Sequence, residues 1–260
     1  MVSIYTSSPN LVEFEAEIAA QQQAQYDLID VEYADGEWIG VFSNLLEPRA
    51  YSNLTESSTY THSNDVNTFT EDIKQTWDLG YDLVNVEHAN GTWFGVYNDN
   101  YGRSLYSYNS DFDGLTGQIQ ARWDAGYDLI DLEYAEGIWF ASFGDNIGGS
   151  GYFTNSDFDE FTEEIQTQAE RGWDLVSVDY ANGMWVGVFG DTSKDSNYLS
   201  SEDFSQLDTQ ITEQQSLGYN LIDLEYAEGL WLAVVNSSPT TNDNDLGNRF
   251  FDYNMRLGFF

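Results

Sequence analysis

Tyr127-Asp128-Leu129-Ile130-Asp131-Leu132-Glu133-Tyr134-Ala135-Glu136-Gly137-Ile138-Trp139 decides the fold. Ile130, Leu132 and Tyr134 alternate with Asp131 and Glu133, the period of a half-buried strand. Glu136-Gly137 then breaks the run with a glycine that accepts positive φ, and the chain resumes with a second apolar stretch, Trp139 to Phe143. Strand, two-residue turn and strand make a hairpin. The same text recurs in first strands at Tyr26 to Tyr33, Tyr81 to His88, Trp173 to Tyr180 and Tyr219 to Tyr226. The corresponding turns are Asp35-Gly36, Asn90-Gly91, Asn182-Gly183 and Glu228-Gly229, and each is followed within two residues by Trp. Trp38, Trp93, Trp139, Trp185 and Trp231 are separated by 55, 46, 46 and 46 residues, so the hairpin belongs to a tandem repeat of five units. The longer first interval places an insertion within about Leu45 to Ser58.

Upstream of each hairpin lies an amphipathic segment. Phe14/Ile18, Phe69/Ile73/Trp77, Leu115/Ile119/Trp123, Phe161/Ile165/Ala169 and Leu207/Ile211 put an apolar stripe on one helix face. Ser156-Asp157 before the fourth is a good N-cap, and Gly80, Gly126, Gly172 and Gly218 end four of the five helices. The first has Gln25 there, a weaker cap. A third short strand precedes each later helix at Ser58 to His62, Ser104 to Tyr108, Gly151 to Thr154 and Asn197 to Ser200.

Five helix-plus-three-strand units follow, at about 1–43, 58–98, 104–144, 151–190 and 197–236, followed by an aromatic tail over 237–260. The chain opens with a third strand, Val2 to Thr6, and ends its repeat with the hairpin Leu221 to Val235. We therefore expect the opening strand to complete the last unit and close an α+β repeat into an α/β propeller, which would hide the sheet edges. An open α/β solenoid is the alternative. The tail end, Arg249 to Phe260, is aromatic enough to add another strand.

Composition narrows the partners. With 8 Lys+Arg against 45 Asp+Glu the net charge is −37, so nothing is available to neutralise phosphates, and nucleic acid is excluded as a ligand. Anionic membrane surfaces are disfavoured for the same reason, and no apolar run is long enough to span a bilayer. Such charge calls for screening by salt, a bound cation or a cationic protein. Without Cys there are no disulfides and no thiolate metal sites. Met1 to Asn10 lacks the basic and apolar regions of a signal peptide; even so, the acidic surface favours an extracellular or cell-surface setting over the cytoplasm.

The hairpin motif resembles the Gly-Tyr-x-Leu…Gly-x-Trp tandem repeats appended to some plant casein-kinase-like proteins. It is also similar to bacterial repeats found beside serine-hydrolase-like domains. The resemblance spans about Val2 to Val235 and brings no activity with it. A five-unit circle is similar to the pentein fold in architecture alone. Penteins acting on guanidines use a Cys nucleophile and a His, and this chain has no Cys.

The chemistry sits on the first strands. Asp30/Glu32, Asn85/Glu87, Asp131/Glu133, Ser177/Asp179 and Asp223/Glu225 share one face, and Ile29/Val31/Tyr33 and their counterparts share the other, expected to lie on the helix. In a closed circle, Glu32, Glu87, Glu133, Asp179 and Glu225 make a ring of carboxylates able to bind a cation, calcium first, with Asp30, Asp131 and Asp223 as further metal ligands. Carboxylates beside Trp38, Trp93, Trp139, Trp185 and Trp231 also suit a glycan or a cationic group. Alternation alone equally allows solvated acids and Trp rings that merely anchor the hairpins. His88 holds the slot of a Tyr in the other copies and reads as a core aromatic. Gly144-Asp145 and Asn242-Asp243-Asn244-Asp245 offer oxygen ligands without a twelve-residue calcium-loop pattern. No nucleophile elbow, phosphate loop or His-rich metal motif occurs, so the expectation is a non-enzymatic scaffold binding calcium and/or carbohydrate. A self-assembling matrix protein, possible as a homo-oligomer, a carboxylate glycosidase and a DNA mimic are the other readings.

Overall fold

The computed structural model describes residues 3–44, 58–99, 103–145, 148–192 and 194–237. The insertion after Leu45, the Asn242–Asp245 segment and the aromatic tail beyond Ser237 lie outside the described residues.

Each described stretch is one unit of strand, helix and hairpin. The first runs β1 (Ile4–Ser8), α1 (Leu11–Gln23), β2 (Asp27–Ala34) and β3 (Glu37–Ser43). The second is β4 (Ser58–Ser63), α2 (Val66–Asp78), β5 (Asp82–Ala89) and β6 (Thr92–Asn98). The third is β7 (Leu105–Asn109), α3 (Phe112–Asp124), β8 (Asp128–Ala135) and β9 (Ile138–Gly144). The fourth is β10 (Ser150–Asn155), α4 (Phe158–Glu170), β11 (Asp174–Ala181) and β12 (Met184–Gly190). The fifth is β13 (Ser196–Ser201), α5 (Phe204–Ser216), β14 (Tyr219–Ala227) and β15 (Leu230–Ser237).

The helix boundaries follow from their caps. Asn10, Asp65, Asp111, Asp157 and Asp203 each accept backbone N–H bonds from the first turn. At the other end, Tyr26 N donates to Gln21 O and Tyr127 N to Arg122 O, closing the last turn over a left-handed residue. That residue is glycine in four units and Gln25, at φ 66°, in the first, so the weak cap expected there is present. The hairpin turns place Asp35, Asn90, Glu136, Asn182 and Glu228 at φ of 52–54°, each followed by a positive-φ glycine. One helical expectation fails: Ala169 is exposed and Gln168 is buried instead.

In every sheet the hairpin's second strand is central, with its first strand on one side and the strand preceding the helix on the other. This corrects the expected closure: β1 pairs with β3 of its own unit, from Ile4↔Phe42 to Ser8↔Trp38, and the fifth sheet already holds β13. The opening segment reaches the fifth unit by a different route. Ser3 Oγ accepts from Leu221 N at 2.6 Å, and Ser3 O accepts from Gln215 Nε2 at 2.8 Å. The same clamp joins every consecutive pair of units: Leu28 N to Ser58, Leu83 N to Ser104, Leu129 N to Ser150 and Leu175 N to Ser196.

A β-bulge interrupts each first strand, between Leu28 and Asp30 and at the four equivalent positions. The extra residue breaks strict alternation. Leu28 and Val31 both face α1, whereas Ile29, expected beside Val31, joins the core of the fifth unit. Val84 and Ile222 likewise turn into the core of the unit before them.

The hydrophobic cores are shared between units. Phe14 and Ile18 of α1 lie between Val31, Trp38 and Phe42 of their own sheet and Val84, Phe94 and Val96 of the second. α2 is covered by Ala135 and Phe140 of the third unit, α3 by Val186 and Val188 of the fourth, and α4 by Leu232 and Val234 of the fifth. α5 is covered by Ile39 and Val41 of the first unit. A unit alone would leave one sheet face bare, so the repeat is stable only as an array.

Candidate functional site

Where the five first strands meet, the bulge turns two polar positions per unit, eight of the ten acidic, away from the helices and towards the neighbouring first strand. The deeper tier is Asp30, Asn85, Asp131, Ser177 and Asp223, all buried. Its side chains stitch the strands together. Asp131 Oδ2 accepts from Val86 N at 2.8 Å, Asp223 Oδ2 from Val178 N at 3.0 Å, and Asp30 Oδ2 from Leu224 N at 3.0 Å. Asn85 Nδ2 donates to Asp30 Oδ1 at 2.9 Å, and Ser177 Oγ donates to Ile130 O at 3.2 Å.

The second tier is Glu32, Glu87, Glu133, Asp179 and Glu225, one step nearer the hairpin turns. Glu32, Asp179 and Glu225 are buried, Glu87 and Glu133 partly so. These acids are therefore not the solvated face that alternation allowed. Burial removes water from the charged form, and the charges acting most strongly on each are other carboxylates. Desolvation, then crowding by Glu225 and Glu87, holds Glu32 well above the usual carboxylate range. Glu87, Glu133, Asp179 and Asp223 are raised by the same two causes. Burial lifts Asp30 to about 8, although its bond from Leu224 N opposes this; Asp131 rises to about 6 and Glu225 to about 8.

Three acceptors in this cluster, Asn85 Oδ1, Asp131 Oδ1 and Asp179 Oδ2, are buried without a hydrogen-bond donor. Such groups cost free energy unless something satisfies them. Among the described residues, no three His, Cys, Asp or Glu side chains form a ready-made metal ligand set. A cation here would need side-chain rotation or bridging water.

The structure separates the two halves of the expected site. All eight carboxylates named from the sequence, Asp30, Asp131 and Asp223 with Glu32, Glu87, Glu133, Asp179 and Glu225, are brought together. The tryptophans are not. Trp38, Trp93, Trp139, Trp185 and Trp231 are at most 5% exposed and lie within the shared cores. Each meets the aromatic residue opposite it on the hairpin: Tyr33, His88, Tyr134, Tyr180 and Tyr226 lie 4.5–5.1 Å away between ring centroids. They anchor the hairpins and offer no face to a sugar or cation, which corrects their assignment as ligand-binding residues. His88 takes the Tyr role, as expected. Asp145 is held by Arg103 N and Nε at 2.9 and 3.0 Å.

Sequence reasoning missed the serine clamp. Ser3, Ser58, Ser104, Ser150 and Ser196 recur at the tryptophan intervals, which was the available signal. The chain matches no protein-family model, and no curated protein matches its sequence. None of the described helices is long and apolar enough to cross a membrane.

Proposed function

We propose that the five units close into an α/β propeller whose centre is a cation-binding acidic well, and that the chain acts as a non-enzymatic scaffold. Closure is supported by the clamp and the shared core between the fifth and first units, which repeat those of the other junctions. The observation that carries the ligand is the cluster of eight carboxylates, six of them buried, crowded by one another and including acceptors that no donor satisfies. Like charges persist in such a place only when protons or cations neutralise them. An all-oxygen donor set favours a hard ion, and calcium, with its flexible coordination, suits side chains that must adjust. The glycan alternative rested on open Trp faces and has lost that support.

Calorimetric titration of the metal-stripped full chain with CaCl2 tests this. Saturable binding is expected, weakened at least about tenfold by Glu32→Gln with Glu133→Gln. Absence of heat and of any rise in melting temperature with Ca²⁺ would remove the reading.

A further inference from the structure

The deeper tier is not bonded alike at every junction. Asp131 Oδ2 accepts from Val86 N, Asp223 Oδ2 from Val178 N and Asp30 Oδ2 from Leu224 N. The other oxygen of Asp30 is satisfied as well, because Asn85 of the following unit donates to Oδ1 at 2.9 Å. Ser177 stands to Asp131 as Asn85 stands to Asp30, but it is shorter and donates instead to Ile130 O at 3.2 Å. Asp131 Oδ1 is thereby left without a donor, in a residue 2% exposed. Asp179 Oδ2, on the same strand as Ser177, is in the same state, in a residue 8% exposed. β8 and β11 are neighbours, and beyond burial itself the charge of Asp131 does most to raise Asp179. Asn85 Oδ1, next in sequence to the amide that holds Asp131, is the third acceptor of this kind. The unsatisfied oxygens of the cluster thus belong to the second, third and fourth units, whereas both oxygens of Asp30 are engaged. The short Ser177 side chain, in a slot that the other four units fill with Asp or Asn, also leaves room for an ion beside Asp131.

Resting on the cation reading above, we infer that the divalent cation is held at the junction of the third and fourth units, with Asp131 Oδ1 and Asp179 Oδ2 as its carboxylate ligands and water completing its shell, rather than shared by all five units. Ser177 is the residue that opens the site, since it puts no donor on Asp131 where Asn85 puts one on Asp30. Two carboxylates balance the charge of one divalent ion, so a single ion per chain follows.

Calorimetric titration of the metal-stripped full chain with CaCl2 tests the location through single variants. Ser177→Asn removes no charge, and Asn85 shows that the slot accepts Asn; its amide is expected to donate to Asp131 Oδ1 and weaken calcium binding about tenfold or more. Asp179→Asn should weaken binding at least as much. Asp223→Asn removes the same charge from the same cluster and should weaken it by a clearly smaller factor. The isotherm of the unmodified chain should fit one ion. In EDTA, Ser177→Asn should melt no lower than the unmodified chain, which separates an occupied lone pair from a damaged fold. If calcium binds but Asp223→Asn weakens it as much as Asp179→Asn does, or folded Ser177→Asn keeps full affinity, the location is wrong and cation binding stands. If Ser177→Asn does not fold, the contrast between Asp179→Asn and Asp223→Asn decides alone. If the unmodified chain takes up no calcium, cation binding itself fails and takes the location with it.

Discussion

Gly40 shows how closely the packing is written into single residues. A Cβ built there would lie 2.9–3.0 Å from the rings of Phe42 and Phe14, and one at Gly95 would lie 3.0 Å from Phe69. The units whose helix carries Phe14, Phe69 or Phe161 have Gly40, Gly95 or Gly187 opposite; those with Leu115 or Leu207 have Ala141 or Ala233. Ring plus glycine and leucine plus alanine fill the same space, as a close-packed interior requires. Gly40→Ala alone should therefore cost about 1–3 kcal/mol. Adding Phe14→Leu should recover part of that loss, a coupling that a double-mutant cycle by urea unfolding measures directly. A second test lies at the first helix end. Gln25 sits at φ 66° where the other units have glycine, so Gln25→Gly should raise stability by about 1 kcal/mol. The complementary pairs were visible in the sequence as letters, but only the close approach of ring and backbone gives them meaning.

The bulge and the clamp are what make each element fit its neighbour. Helices, hairpins and turns were legible because each rests on local chemistry: Asp caps, terminal glycines, residue-glycine turns and a repeated Trp. The bulge was not, because Ile29, Val84 and Ile222 are apolar like the residues beside them. Alternation reads unbroken across an inserted apolar residue, and only pairing to the next strand exposes it. The strand partner of β1 was misread for a related reason. A sequence shows that a third strand precedes each helix, but not to which sheet it belongs, and β1 stays with its own helix. The acids were found because the bulge leaves positions 30 and 32 and their counterparts on one face. The Trp residues were assigned wrongly because a hairpin anchor and a ligand platform have the same sequence signature. Among the clamps, Ser150 is the most informative: its Oγ accepts from Leu129 N at 2.6 Å and Trp123 Nε1 at 2.9 Å. Ser150→Ala strands two buried donors and should destabilise by about 2–4 kcal/mol, seen as a lower urea midpoint with an unchanged m-value.

At the scale of the molecule, the eight central carboxylates turn pH into a stability variable. Their folded pKa values are raised above those of the unfolded chain, so folding takes up protons. The stability they contribute is present below about pH 4, where carboxylates of the unfolded chain are protonated, and is lost as pH rises through the folded values of about 6 for Asp131 and about 8 for Asp30 and Glu225. Metal-free protein should therefore melt at progressively lower temperature from mildly acidic to mildly alkaline buffer, by up to about 1.4 kcal/mol per pH unit for each group that titrates. Calcium should flatten that slope, because a bound cation takes the place of the protons. A net charge of −37 adds general self-repulsion, which salt screens at the surface but hardly at all in the buried cluster. Sodium chloride should accordingly raise the melting temperature at every pH without removing the slope. The most direct measurement is an anomalous difference map from crystals of the full chain soaked in a calcium-mimicking lanthanide such as terbium. A peak among Asp30, Asp131, Asp223 and the Glu32 tier is expected. Ions bound only on the outer surface, with the meeting point of the five first strands unoccupied, would contradict the acidic well on which the functional reading depends.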